Sequence, residues 1–417
     1  MVMKEQNLRA RRATWMPMLG LCVVAGTIQA ELCQYMQASD DYQKPYFILW
    51  YAHSYFSFLL PIYAIFRFFS DGFSWSALKH DFAFGLAQIF SPSSQATSLS
   101  LLRTNFSRML RCCAWMVVPL TAATYFWYLA AALTTPSRLA SAANTACFFA
   151  YLFEVYFFRH PWNSRTIFAV LVGVLGVAVM SGLSAREAPI GIDAAHPDRI
   201  GNPWRLAAGD LSGLISAALT GLFENVYKMY LVPKHTGNSL PMSVLITAIL
   251  GVFTFSLMWI PIPIFHLLGW ETFALPPANV FKQMSINACL SALYNLGLLV
   301  VISQAGPVTA SVGVMLGIPA VALADVVFMN RGLGIGVILG GSMVMIAFAL
   351  LVFQQSALDS SHIKQKAAFA PLESIHVEDA EEELNGRGIP AEDDEYTLND
   401  FEREYGDDDR PPISPRP

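Results

Sequence analysis

Five ionisable side chains, Glu31, Glu154, Glu224, Lys228 and Asp325, fall in stretches otherwise apolar enough to enter a membrane. A charge at mid-bilayer costs at least about 2.5–3.5 kcal/mol on insertion scales, so each needs a partner or a task. Glu224 and Lys228 stand four residues apart with the acid first, the better order for an intrahelical pair. Such a pair either neutralises itself or serves in gating or ligand binding. The sequence offers Glu31 no cation within a helical turn. It is expected to face an internal pathway as a proton-exchanging carboxylate or to reach water outside the bilayer. Asp325 has Arg331 as its plain partner. Neutral polar residues are patterned too. Asn287, Ser291 and Asn295 recur every fourth position and form one stripe, with Tyr294 adjoining it and Tyr125 and Tyr128 at comparable depth in another segment. In lipid such a stripe must face protein or water, where it either binds a ligand or joins helices. Rings beside amides suit a flat, polar organic solute. Ser141, Asn144, Thr145 and Ser311 complete the candidate lining.

Other chemistries lack their residues. The sequence has no P-loop, nucleophile constellation or HExxH, and its six cysteines have neither CxxC nor zinc-ligand spacing. Cys112 and Cys113 beside Arg111 suit either a small-residue core or palmitoylation at a membrane boundary. An intramembrane aspartyl protease fits poorly, because Asp210 begins its helix and the tyrosine–aspartate partner is missing. The expectation is therefore not an enzyme, with no cofactor, no metal and no nucleic acid partner.

The elements that must position these residues are ten apolar stretches, near 15–36, 45–69, 112–133, 138–158, 165–183, 206–229, 241–268, 283–304, 307–328 and 333–353. The chain is 54% hydrophobic and only 14% charged, against roughly 25% charged in an average soluble protein. The mean hydropathy is +0.44. Stretches apolar all round satisfy their own backbones as helices in lipid, so the fold class is all-α transmembrane. Pro119 and Pro319 lie inside spans and predict kinks. Gly209, Gly213, Ala217 and Gly221, and likewise Gly332, Gly336 and Gly340, form small-residue faces for helix packing or contact with a second copy.

Charge gives direction. Counting Lys and Arg in the connections places 15 on the side of the N-terminus and 7 on the other, which puts both termini in the cytosol. A cleaved signal peptide is the competing reading of the N-terminus, where basic residues precede an apolar run from Trp15. The expected organisation is a cytosolic segment 1–14, a first set of spans over 15–183 with a cytosolic loop at 70–111, an external loop 184–205, a second set over 206–353, and a tail 354–417. Within the loop, Phe73 to Phe90 suits the membrane surface. From Pro371 to Pro417 the tail holds 16 Asp/Glu against 4 Arg, a composition that predicts disorder. It reads as a solvated spacer or as a recruiting segment.

The two sets echo each other. Ala140-Ser141 and Ala310-Ser311 match at an offset of 170, as do Tyr125 and Asn295. Thr27, Glu31 and Met36 match Thr220, Glu224 and Met229 at 193, and the difference of 23 fits the long loop. Five spans per set is odd, so the second set enters from the opposite side. The expected architecture is a ten-helix bundle of two inverted five-helix repeats.

These residues also carry a resemblance. Ser291-Ala-Leu-Tyr-Asn-Leu-Gly followed by Gly306-Pro-Val-Thr-Ala-Ser-Val-Gly and Gly317-Ile-Pro-Ala resembles helices eight and nine of the drug/metabolite transporter superfamily, the EamA-like proteins. Gly209-Asp-Leu-Ser-Gly with Phe223-Glu-Asn-Val-Tyr-Lys228 looks like helix six of its nucleotide-sugar-transporter-related branch, nearest to solute carrier 35 subfamily F and thiamine-transporter-like members. Tyr125 to Gly182 is similar to the first repeat of that fold. The resemblance implies ten helices, cytosolic termini and alternating access to a central cavity. Two departures stand out. The glutamate that many members place after helix four is replaced around Arg159-His160, and no guanine-binding motif of GDP-mannose transporters is present.

The sequence thus reads as a secondary transporter or exchanger of a small polar organic solute (a nucleotide sugar, a nucleotide or a vitamin such as thiamine) in a lipid bilayer. A eukaryotic endomembrane such as Golgi or ER is favoured, with plasma membrane or vacuole as alternatives. The rival reading is a membrane scaffold or receptor that acts through its acidic tail.

Overall fold

The computed structural model describes residues 2–39, 42–71, 75–90, 99–133, 139, 142–159, 162–184, 203–233, 237–317, 335, 338–351 and 353. By compactness the chain divides into Met1–Leu358 and Asp359–Pro417. The second unit, which holds most of the acidic tail, lies outside the described residues, as do Pro319, Asp325 and Arg331.

Every element among the described residues is helical. In order they are α1 (Val2–Ser39), α2 (Pro45–Ser54), a 3-10 turn (Tyr55–Phe58), α3 (Leu59–Asp71), α4 (Trp75–Phe90), α5 (Leu99–Leu133), α6 (Ala146–Phe158) and α7 (Ser164–Ser184). They continue with α8 (Pro203–Leu231), α9 (Leu240–Leu257), α10 (Pro261–Leu267), α11 (Ala278–Ala305) and α12 (Pro307–Val314). A last apolar helix, α13, covers Ile338–Leu351.

Among the described residues, five helical segments are long and apolar enough to cross a membrane: Trp15–Cys33, Pro45–Phe69, Ser100–Leu133, Leu240–Leu267 and Ala278–Ala305. Their outer faces are those of a protein in lipid. Phe69 and Trp115 are each 80% exposed, Val252 and Phe255 are exposed with them, and so are Leu171 and Leu175 on α7. So much bare apolar surface is tolerated where the solvent is itself hydrocarbon. The chain is an all-α integral membrane protein. Shorter apolar helices cover Ala142–Phe158, Ser164–Val179 and Ile338–Leu351. The 29-residue α8 is long enough to join the five, but it buries Ser212, Ser216, Glu224 and Asn225.

Boundaries differ from the expected ones, among them at the start of α5 and ahead of α6. Residues 99–111, expected in a connection, are the opening turns of α5, which passes through Pro119 without interruption. The expected span 138–158 is broken at Thr145, whose hydroxyl donates to the Ala142 carbonyl at 2.7 Å, and α6 starts only after that turn. A polar side chain that bonds back to the backbone competes with the helical ladder, which is how the break arises.

The helices pack in a definite set of pairs. α1 lies along α11, and α5 lies along α8. α6 touches α8 and α12, α1 also touches α12, and α2 touches α11. α9 packs on α5 and on the whole α2–α3 segment. Small residues set the closest approaches. A Cβ on Gly221 of α8 would stand 2.7 Å from the Ala150 nitrogen of α6, and one on Gly213 would stand 2.7 Å from the Ala142 Cβ. One face of α8 therefore seats α6, as small-residue faces do in lipid. Gly251 of α9 does the same for the 3-10 turn, against Ser57 and Phe56.

Replacing Gly221 with Leu is expected to destabilise the protein by about 1–3 kcal/mol or to prevent its folding, because backbone atoms cannot move aside for a side chain. Leu211→Ala on the exposed face of the same helix should stay within about 0.5 kcal/mol. Thermal denaturation of both variants in detergent checks the contrast.

Candidate functional site

Because Gly221 brings α8 onto α6, the polar residues one and two turns further along α8 face neighbouring helices. Asn225 donates from Nδ2 to the Ala150 carbonyl of α6 and to Gly221, both at 2.9 Å. Lys228, the next residue on that face, reaches Glu154 of α6 at 2.9 Å and lies over the Phe158 ring at 5.2 Å from its centre. Glu224 turns towards α12 instead. It is 1% exposed and accepts a hydrogen bond from the Ser311 hydroxyl at 2.6 Å. The expected Glu224–Lys228 pair is thus not the one that forms. Each member finds its partner on another helix, since in a bundle the next helix is as near as the next turn. The result is a compact cluster of three ionisable groups joining α6, α8 and α12.

The stripe on α11 is buried throughout, with Asn287 and Ser291 at 0% and Asn295 at 7% exposure. Asn287 donates to the Tyr128 hydroxyl of α5 at 3.0 Å, and Gln29 of α1 donates to the same oxygen at 3.4 Å. Asn295 bonds back to the Ser291 carbonyl at 2.9 Å. Asn287 Oδ1 and Ser291 Oγ are buried without a hydrogen-bond partner among the described residues. Tyr294 is used for packing. Its ring lies where a side chain on Gly26 would stand, 2.8 Å from that position, and its carbonyl accepts the Cys22 thiol at 3.1 Å.

The remaining candidates are dispersed. Tyr125 joins an aromatic group near one end of the bundle, with ring centres 5.7 Å from Tyr46 and 5.9 Å from Phe265. Asn144 is half-buried beside the turn that precedes α6, and its carbonyl accepts the Cys147 thiol at 3.3 Å. Glu31 lies on the exposed face of α1, and Ser141 lies outside the described residues.

Sequence reasoning missed Gln29, His53 and Glu271 as residues of interest. Gln29 and His53 had a readable signal, because each is a polar residue inside an apolar span and both are buried. Glu271 had none, since it lies in a connection. Yet it accepts from the Tyr46 and Phe47 backbone N–H groups, both at 2.9 Å, and so caps the first turn of α2 from across the chain. Around it, Tyr42 donates to the Ala274 carbonyl at 2.9 Å and Lys44 to the Thr272 hydroxyl at 2.9 Å. Burial raises the Glu271 carboxyl above its ordinary range, against the opposing pull of those two N–H groups and of Lys44. Burial and the charge of Glu271 together push the Tyr42 hydroxyl up to about 12.

An all-α membrane protein with charges paired between its helices is the class that fold and site define. No family profile matches the chain. A Schizosaccharomyces pombe protein described as an uncharacterized transporter is 23% identical over 277 residues, which cover 66% of this chain and 75% of that protein. A Saccharomyces cerevisiae protein described as an uncharacterized vacuolar membrane protein is 19% identical over 397 residues, covering 90% of this chain and 99% of that one. One solved structure is similar over 81% of this chain and 98% of its own, at 11% identity and a TM-score of 0.44, too low to speak to the fold.

Glu271→Ala, which removes the cap on α2, is expected to lower stability by about 1 kcal/mol, as for other helix caps. The pH dependence has a definite sign. A carboxyl whose folded pKa is raised binds its proton more tightly in the folded than in the unfolded state, so its contribution favours folding as pH falls. Wild type should therefore gain melting temperature relative to Glu271→Gln on going from pH 7.5 to pH 5. Paired melts at the two pH values measure this.

Proposed function

We propose that this chain is a secondary transporter or exchanger of a small polar organic solute, built as ten spans in two inverted five-helix repeats. Its spans would be α1, α2–α3, α5, α6 and α7, then α8, α9–α10, α11, α12 and α13. The observation that carries the reading is the exchange symmetry of the packing. Swapping each span with its counterpart five places on turns the α1–α11 contact into α8–α5, α1–α12 into α8–α6, and α2–α11 into α9–α5. Each contact in these three pairs is present. Inverted repeats that interlock in this way enclose a midplane site reachable from either side.

The resemblance to the drug/metabolite transporter superfamily and its solute carrier 35 subfamily F branch, and a distant relative described as a transporter, support transport over catalysis. Both termini would lie in the cytosol, in an endomembrane. The relative described as a vacuolar membrane protein makes the vacuole a compartment to test first. In this reading Lys228–Glu154 ties the second repeat to the first at one end of the pathway, and Glu224–Ser311 ties two spans within the second. Glu271 ties the second repeat to α2 at the other.

Reconstituted into proteoliposomes, the protein should show saturable uptake of one member of a panel of nucleotide sugars, nucleotides, nucleosides and vitamins. Glu224→Gln and Tyr128→Phe should lower that uptake about tenfold or more while the protein still folds, and truncation after Lys366 should leave it intact. A scaffold acting through its tail would show the opposite pattern. Absence of saturable flux across the panel would reject the reading.

A further inference from the structure

The buried stripe of α11 holds a feature that packing alone does not explain. Ser291 lies at the middle of the 28-residue helix, roughly 20 Å from either end at 1.5 Å per residue. There, and one turn away at Asn287, two polar atoms are buried with no hydrogen-bond partner among the described residues. An atom left so forfeits the hydrogen bonds it would have made to water, and buried polar atoms in native proteins are seldom left unpaired. The amide of Asn287 has one polar end on the Tyr128 hydroxyl and the other free. This holds whichever way the amide is turned, since its oxygen and nitrogen can exchange places.

Neighbouring groups sharpen the chemistry. With the Asn287 amide nitrogen on it, the Tyr128 oxygen accepts from both Asn287 and Gln29, so its own proton remains available to donate. Ser291 can donate or accept. Together α1, α5 and α11 present donors and acceptors side by side, and the aromatic ring of Trp127 stands edge-on to Tyr128 at 5.1 Å. Among the described residues no Lys or Arg belongs to this patch. Of the half-buried cations, Arg205 reaches the Ala132 carbonyl of α5 at 3.4 Å and Lys228 is committed to Glu154. A phosphate would have nothing here to neutralise it, and desolvating an unpaired charge costs far more than desolvating an amide.

We propose that Tyr128, Asn287 and Ser291 bind an uncharged heterocycle through adjacent donor and acceptor groups, such as the amide edge of a nucleobase, and discriminate against phosphorylated solutes. This rests on the transporter reading and narrows its solute class to nucleoside-like compounds without phosphate. A residue kept for binding at the expense of stability leaves a measurable sign. Removing its unpaired atom should not harm the empty protein.

The test uses purified full-length protein with uridine, thymidine and adenosine, each beside its 5′-monophosphate. At least one nucleoside should raise the melting temperature, with its monophosphate binding at least tenfold more weakly. Ser291→Ala and Asn287→Leu should each weaken that nucleoside about tenfold, while Ser291→Ala melts no lower than wild type in the absence of solute. The proposal is overturned if no nucleoside binds at millimolar concentration, if a monophosphate binds as tightly as its nucleoside, or if the two variants bind unchanged. It is equally overturned if Ser291→Ala loses more than about 4 °C, which would show that the hydroxyl has an internal partner. Binding without flux would reject transport and keep the site; flux unaffected by Ser291→Ala would reject the site and keep transport.

Discussion

Hydrocarbon accepts no hydrogen bond, and the arrangement of this protein follows from that. Backbone groups are satisfied within each helix, so only side chains have polar atoms left to place. They must turn inward and meet one another. Glu224 meets Ser311, Lys228 meets Glu154, Asn225 meets Ala150, and Gln29 and Asn287 share Tyr128. These bonds run between helices distant in sequence. They supply direction that dispersion between apolar helices and lipid, similar on both sides, cannot supply.

Close backbone approach makes such bonds possible. Gly221 lets α8 sit against α6, Gly213 lets it sit against Ala142 just before that helix, and Gly26 makes room for Tyr294 between α1 and α11. Larger residues there would hold the helices apart and leave Asn225 and Lys228 short of their partners. Small residues and polar residues on the same helices therefore work as one device, the first bringing the second within reach.

The membrane class was legible in composition alone, since apolar stretches of spanning length have no other stable solvent. The residues of the polar cluster were legible too, because charge in such stretches is expensive. Their partners were not. Spacing along one helix pointed Lys228 at Glu224, whereas the crossing with α6 gives it Glu154, and a crossing depends on two helices at once. Tyr125 and Tyr128 looked equivalent at three residues apart, yet one lies among aromatic rings and the other on the α11 amide. Glu271 could not be found by composition, because an acid in a connection is ordinary until the chain brings α2 beside it.

The pairing of α1 with α11 also bears on how the protein is made. Trp15–Cys33 leaves the ribosome about 245 residues ahead of Ala278, an interval of roughly 12–50 s at usual elongation rates. Through that interval Gln29 must wait in or near the bilayer without Asn287 beside the tyrosine they share. The first helix therefore spends more than half of the synthesis of the chain without its final neighbour, and its seat forms only when the eleventh helix arrives.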